Sequence, residues 1–147
     1  MASVKSVNYT KITADPIEKV DSEVLGGKIR VSYDNYEASS LASGSDITIG
    51  RIPTNATIMD VVLKCDALGG SSTLAVGDSG DADRYLAAVG TWNAAGQTQS
   101  MLGGSTAANT AMTGLGYRTT AETDIVITTG GATTSGSIHC WVMYTVE

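Results

Sequence analysis

The chain is expected to fold as an all-β sandwich, and three observations lead there. Residues Ile52 to Tyr85 read as two alternating strands. The first is I-P-T-N-A-T-I-M-D-V-V-L-K-C-D-A-L; the second, after Gly69-Gly70, is S-S-T-L-A-V-G-D-S-G-D-A-D-R-Y with an acidic glycine turn inside it. The apolar supply is Val, Ile, Ala, Leu and six Tyr with no Phe, a mixture that suits pleated surfaces. Seventeen Gly against two Pro, with abundant Ser and Thr, point to tight turns between strands, not to a Pro-rich disordered linker. At 147 residues and 42% hydrophobic the chain suits one domain with its own core.

In order along the chain, residues 1–24 read as an amino-terminal arm and 25–147 as the sandwich. Asp15-Pro16 breaks any helix in the arm. Ile12, Ile17, Val20, Val24 and Leu25 fit a short amphipathic stretch or an extended docking segment equally well. The body opens at Gly26-Gly27 with Ile29, Val31 and Tyr33 on one face of a strand. Asp46 to Arg51 repeats the alternation weakly, and Pro53 and Asn55 turn the chain. In the strand Thr57 to Asp66, Met59, Val61, Leu63 and Cys65 are expected inside and Ile58, Asp60, Val62, Lys64 and Asp66 outside.

Ser72 to Val76 is expected to form a hairpin with that strand across Gly69-Gly70. Tyr85 to Val89 is read as strand. Residues 94–116 are low in complexity, with Met101, Leu102, Met112 and Leu115 as anchors, and connections of this kind usually engage a neighbour or move. Asp124 to Thr128 and Ser137 to Val146 are the clearest strands. In the last, Ile138, Cys140, Val142, Tyr144 and Val146 share a face, while His139, Trp141, Met143 and Thr145 make an opposite face too apolar to stay wet. Ile58 and Val62 add to it, so Ile58, Val62, Trp141 and Met143 are the expected interface of a homo-oligomer.

A net charge of −6 and scattered basic residues disfavour nucleic acid as a partner, since counterion release needs clustered Lys and Arg. The amino terminus lacks an apolar run of signal-peptide length, and no window approaches the roughly 20 apolar residues of a membrane span. Synthesis in a cytoplasm is therefore expected, with Cys65 and Cys140 as buried thiols. One His and no CxxC leave no metal-ligand spacing.

Three features invite chemistry. Asp78, Asp81 and Asp83 place carboxylates around a glycine but lack the later Glu of an EF-hand, so a turn with Asp81 or Asp83 paired to Arg84 is expected. His139 has no nucleophile-elbow pattern around it and reads as a packed or interface residue. Trp92 and Trp141 could stack on sugar rings, with core or interface packing as the plainer role. No catalytic, cofactor or metal residue is expected.

The runs G-G-K-I-R-V-S-Y-D-N-Y-E-A (Gly26 to Ala38), I-G-R-I-P-T-N-A-T-I-M-D (Ile49 to Asp60) and V-G-D-S-G-D-A-D-R-Y (Val76 to Tyr85) resemble small virion proteins of tailed bacteriophages. So does the ending G-L-G-Y-R-T-T-A-E-T-D-I-V-I-T-T-G-G-A-T-T-S-G-S-I-H-C-W-V-M-Y (Gly114 to Tyr144). The resemblance covers most of residues 26–147. It implies a capsid decoration, or cement, protein: a jelly-roll-like antiparallel β-sandwich, commonly trimeric, on the outside of the head at junctions between major capsid protein subunits. It also implies an extended amino-terminal arm reaching across capsid subunits, a role residues 1–24 fit, and within them Tyr9, Ile12, Pro16, Ile17 and Val20 are the expected capsid contacts. The alternatives are a glycan- or receptor-binding module of a tail fibre or spike and, distantly, a hydrolase dependent on His139.

Overall fold

Alternation at period two governs most of this chain, and where it breaks, the backbone bulges. The computed structural model describes residues 5–20, 27–89, 92, 94–103 and 113–146. A short helix α1 (Val7–Ile12) precedes eight strands: β1 (Arg30–Leu41), β2 (Asp46–Ile52), β3 (Ala56–Cys65), β4 (Ser72–Asp78), β5 (Asp81–Val89), β6 (Gln97–Ser100), β7 (Thr123–Gly131) and β8 (Thr134–Val146).

The pairing follows one rule: β1 with β8, β2 with β7, β3 with β6 and β4 with β5, all antiparallel. The body is a single long hairpin whose tip is the turn at Ser79-Gly80, wound so that successive pairs fall alternately into two sheets. Ladders between β3 and β8 and between β4 and β7 close the winding, giving sheet orders β1-β8-β3-β6 and β2-β7-β4-β5. This is a jelly-roll sandwich, the expected fold class. The winding also puts β3 and β4 in different sheets, so the hairpin expected across Gly69-Gly70 does not form. That link crosses the sandwich instead. Leu68 is buried at the crossing, its amide donates to the Trp92 carbonyl at 2.8 Å, and Gly69 turns the chain at φ +128°.

The core lies between the sheets. Ile58, Val61, Leu63, Ile138 and Val142 of the first sheet meet Ile47, Leu74, Val76, Ile125 and Ile127 of the second. Cys65 and Cys140 are buried free thiols on the same inner side, and burial pushes both up to about 12. The strand β3 departs from simple alternation. Its register against β8 shifts between Ile58 and Asp60, so Met59 occupies a bulge. The expected phase of β3 therefore holds from Asp60 onward and inverts at Ile58 and Met59. Ile58 is fully buried in the core and Met59 is exposed, which removes Ile58 from the outer face.

The low-complexity stretch contributes β6 and buries Met101, while Leu102 and Leu115 are exposed; Met112 lies outside the described residues. Asp60 secures this stretch, accepting hydrogen bonds from Ser100 Oγ at 2.7 and 2.9 Å and from the Leu102 amide at 3.2 Å. At the other edge of the same sheet, β1 pairs only with β8, and most of its twelve residues are exposed.

Residues 5–20 are not uniformly extended. Helix α1 ends before Asp15-Pro16, a cis peptide bond, and its hydrogen bonds are local: Thr10 N to the Ser6 carbonyl at 2.9 Å and Thr13 N to the Tyr9 carbonyl at 3.1 Å. Tyr9, Ile12, Pro16 and Ile17 are exposed and Val20 is half-buried. Residues 21–24 of the arm lie outside the described residues.

The bulge makes a direct prediction. Ile58→Ala should cost about 2–5 kcal/mol through lost burial and a residual cavity, whereas Met59→Ala should fall within about 0.5 kcal/mol of the parent. Denaturant midpoints at constant m-value measure both, and the reverse ranking would mean that β3 runs without the bulge.

Candidate functional site

The outer face of the first sheet gathers side chains from strands far apart in sequence. Register sets three rows across it. Val31, Met143 and Asp60 lie in one; Tyr33, Trp141, Val62 and Ser100 in the next; Asn35, His139, Lys64 and Thr98 in the third. Of the expected interface residues, Val62, Trp141 and Met143 are all here and half-buried, joined by exposed Val31 and Tyr33. The face grades from apolar at the Val31–Met143 end to polar at the His139–Lys64 end.

Tyr33, Trp141 and His139 form an aromatic group on this face. Tyr33 and Trp141 ring centroids are 4.9 Å apart with planes inclined by 31°, and His139 stacks 6.1 Å from Trp141. The Tyr33 hydroxyl and His139 Nδ1 share a hydrogen bond of 2.9 Å. Beside them opens a cleft of about 350 Å³ whose lining includes Tyr33, His139, Trp141, Lys64 and Asp66. The partner of the imidazole is thus a phenol, and among the described residues no carboxylate orients it as a triad requires. Sequence spacing placed Trp141 on this face but could not find Tyr33 beside it, because the two are joined only by the β1–β8 register.

Trp92, the other candidate aromatic, is buried and takes no part in any surface. The acidic turn is likewise structural. Asp78 is buried at the hairpin tip, where its carboxylate accepts from Arg84 Nε at 2.7 Å, the Tyr85 hydroxyl at 3.0 Å, and the amides of Gly80 at 2.9 Å and Asp81 at 3.1 Å. Arg84 stands over the Tyr117 ring at 4.1 Å. The expected pairing of Arg84 with Asp81 or Asp83 is therefore corrected to Asp78, whose oxygens are already taken up. Register shifts on either side of Val76 turn Asp78 inward. Asp83 lies against Asp81, and that contact raises it. Among the described residues no group of three His, Cys, Asp or Glu is placed to hold a metal ion. Among the described residues no helix is long and apolar enough to cross a membrane.

No protein-family model matches the chain, and no curated sequence is similar to it. Among solved structures the fold has clear counterparts. A chain of the cyanophage Pam1 capsid asymmetric unit is 29% identical, with a TM-score of 0.66 over 84% of this chain and 88% of that one. The likeness is to proteins of phage capsids. A chain of the Ralstonia phage GP4 capsid shares the fold at 18% identity and TM-score 0.58, covering 82% of this chain and 86% of that one. One from the acid-stable capsid of Helicobacter pylori bacteriophage KHP30 does so at 10% and 0.58, covering 80% and 87%.

The Asp78 cluster predicts a defined acid response. Burial by itself would raise the carboxyl, but hydrogen bonds from Arg84, Gly80 and Tyr85 outweigh it and hold Asp78 below its ordinary value. Its stabilisation is thus complete above the unfolded value of about 3.9 and lost as pH falls through the lower folded value. Asp78→Asn should lower stability at neutral pH and flatten the dependence below about pH 4. Asp78→Ala, which strands Arg84, should cost about 3 kcal/mol. Urea melts at pH 7 and pH 3 read both effects, and an unchanged acid slope in Asp78→Asn would refute the assignment.

Proposed function

We propose that this protein is a structural component of a phage virion that binds the outer surface of the head as a decoration, or cement, protein and stabilises the shell. The observation that carries the reading is the combination of a jelly roll 29% identical to a chain of a cyanophage capsid asymmetric unit with an outer sheet face left half apolar. Solvated sheets usually present polar side chains outward. A face carrying Val31, Val62, Trp141 and Met143 is suited to meeting another protein surface.

In this reading the Val31–Val62–Met143 end of the face, with Trp141 at its margin, joins copies of the chain into a trimer. Each copy then presents residues 1–24 to the major capsid protein, with Tyr9, Ile12, Pro16, Ile17 and Val20 as the contacts. Four of those five are exposed, so little folded-body packing is lost when they bind. Three weak arms on one rigid body act at high effective concentration, which raises avidity by about 10²–10⁴ over a single arm. A ligand that binds the assembled shell and not its dispersed subunits shifts assembly by mass action, by about 2.7 kcal/mol per site at a hundredfold excess over Kd. The acidic surface favours basic patches on the partner and disfavours packaged nucleic acid.

Sedimentation equilibrium at micromolar concentration should find a trimer, and Met143→Asp or Val62→Asp should yield a folded monomer. Deleting residues 1–24 should leave the trimer and its melting temperature unchanged while abolishing binding to heads. A parent protein that sediments as a monomer would overturn the trimer, and a truncated form that still decorates heads would overturn the role of the arm.

A further inference from the structure

The polar end of the same outer face has a geometry that a protein–protein seam does not need. A hydrogen bond to an imidazole nitrogen lies in the ring plane. The Tyr33 hydroxyl makes such a bond to His139 Nδ1 at 2.9 Å, and the two ring planes differ by only 11° at a centroid separation of 6.2 Å. The two rings are therefore nearly parallel and pinned by their own hydrogen bond, and with Trp141, inclined by 31° to Tyr33, they form the aromatic wall of the cleft. At its border the cleft carries Lys64, a cationic donor, and Asp66, an anionic acceptor, both exposed. Its volume, about 350 Å³, falls within the range of small-ligand sites.

The geometry points to a saccharide-binding cleft that takes a neutral hexopyranose unit of a polysaccharide. A pyranose has an apolar face of C–H groups that lies flat on aromatic rings and a rim of hydroxyls that both donate and accept. The aromatic wall of Tyr33, His139 and Trp141 supplies the first surface, and the Lys64 ammonium and Asp66 carboxylate supply partners for the second. A fully apolar ligand would leave both charged groups facing it without hydrogen bonds, and a polyanion would be repelled by the net charge of −6. Because the hydrogen bond holds Tyr33 and His139 in place, little side-chain entropy is lost when the sugar stacks. The cleft lies on the side of Trp141 away from Val31 and Met143, so it remains open whether or not the apolar end is covered by another copy. Saccharide binding and shell binding then occupy separate parts of one molecule.

The test uses the full-length protein on an array of neutral glucose, galactose and mannose oligosaccharides, followed by titration of the best oligomer monitored by tryptophan fluorescence. Trp92 is buried, so the change should come from Trp141. Binding should protect Trp141 from acrylamide quenching. Tyr33→Ala, at an exposed position on the edge strand, should weaken binding about tenfold or more while leaving sedimentation unchanged. Lys64→Ala should weaken it by a smaller factor. No binding to any neutral hexose oligomer at millimolar concentration would overturn the inference. So would binding unaffected by Tyr33→Ala, or loss of oligomerisation in Tyr33→Ala with no sugar bound by the parent. None of these outcomes bears on the arm deletion, so the cleft and the shell-binding reading fail independently.

Discussion

The fold depends on the inward packing of a wound hairpin: two sheets that must bury Ile, Leu and Val from both inner faces at once. Ile58, Leu63 and Ile138 on one side and Leu74, Ile125 and Ile127 on the other are each almost wholly withdrawn from water. At about 25 cal/mol per Å² of apolar area, burial of this kind is the dominant favourable contribution. It also dictates what is left over. Once β3 and β8 commit these residues inward, their alternate positions Val62, Trp141 and Met143 must point out, and the outer face inherits their apolar character. Core packing thus fixes which positions face outward, and the sequence places Val, Trp and Met there and not Lys, Glu or Thr.

At the tip of the hairpin, buried polar chemistry locks the turn. Asp78 gathers two backbone amides, a guanidinium and a phenol around one carboxylate. It closes the β4–β5 turn at the tip of the wound hairpin. An exposed ion pair such as Arg51 with Glu122 is worth little in comparison. The difference is burial: the Asp78 and Arg84 side chains are 3% and 16% exposed, against more than 60% for both partners of the surface pair.

Much of this was legible in the sequence, and the failures have physical causes. Most strand positions and the shared inward face of Ile138, Cys140 and Val142 followed from alternation alone, but β6, inside a stretch read as a connection, did not. The exchange of Ile58 and Met59 did not, because a bulge adds one residue without any Gly or Pro to mark it. The supposed hairpin at Gly69-Gly70 failed because a double glycine permits a sharp turn but does not say whether the chain returns in its own sheet or crosses to the other. Asp78 was passed over as the partner of Arg84 since register shifts within β4–β5, invisible in sequence, turn it inward. The Tyr33–His139 pair joins residues 106 positions apart and could only come from the β1–β8 register.

The account stands or falls on whether the arm, carried on an oligomer, recognises an assembled shell and not a free subunit. The most direct measurement is co-sedimentation of the purified protein with undecorated heads of its own phage, alongside the unassembled major capsid protein, with the heat release of the shells read in parallel. Saturable binding to heads alone, with a rise in the temperature at which they come apart, is the predicted result. Protein that stays in the supernatant, or shells that cannot form until it is added, would contradict it.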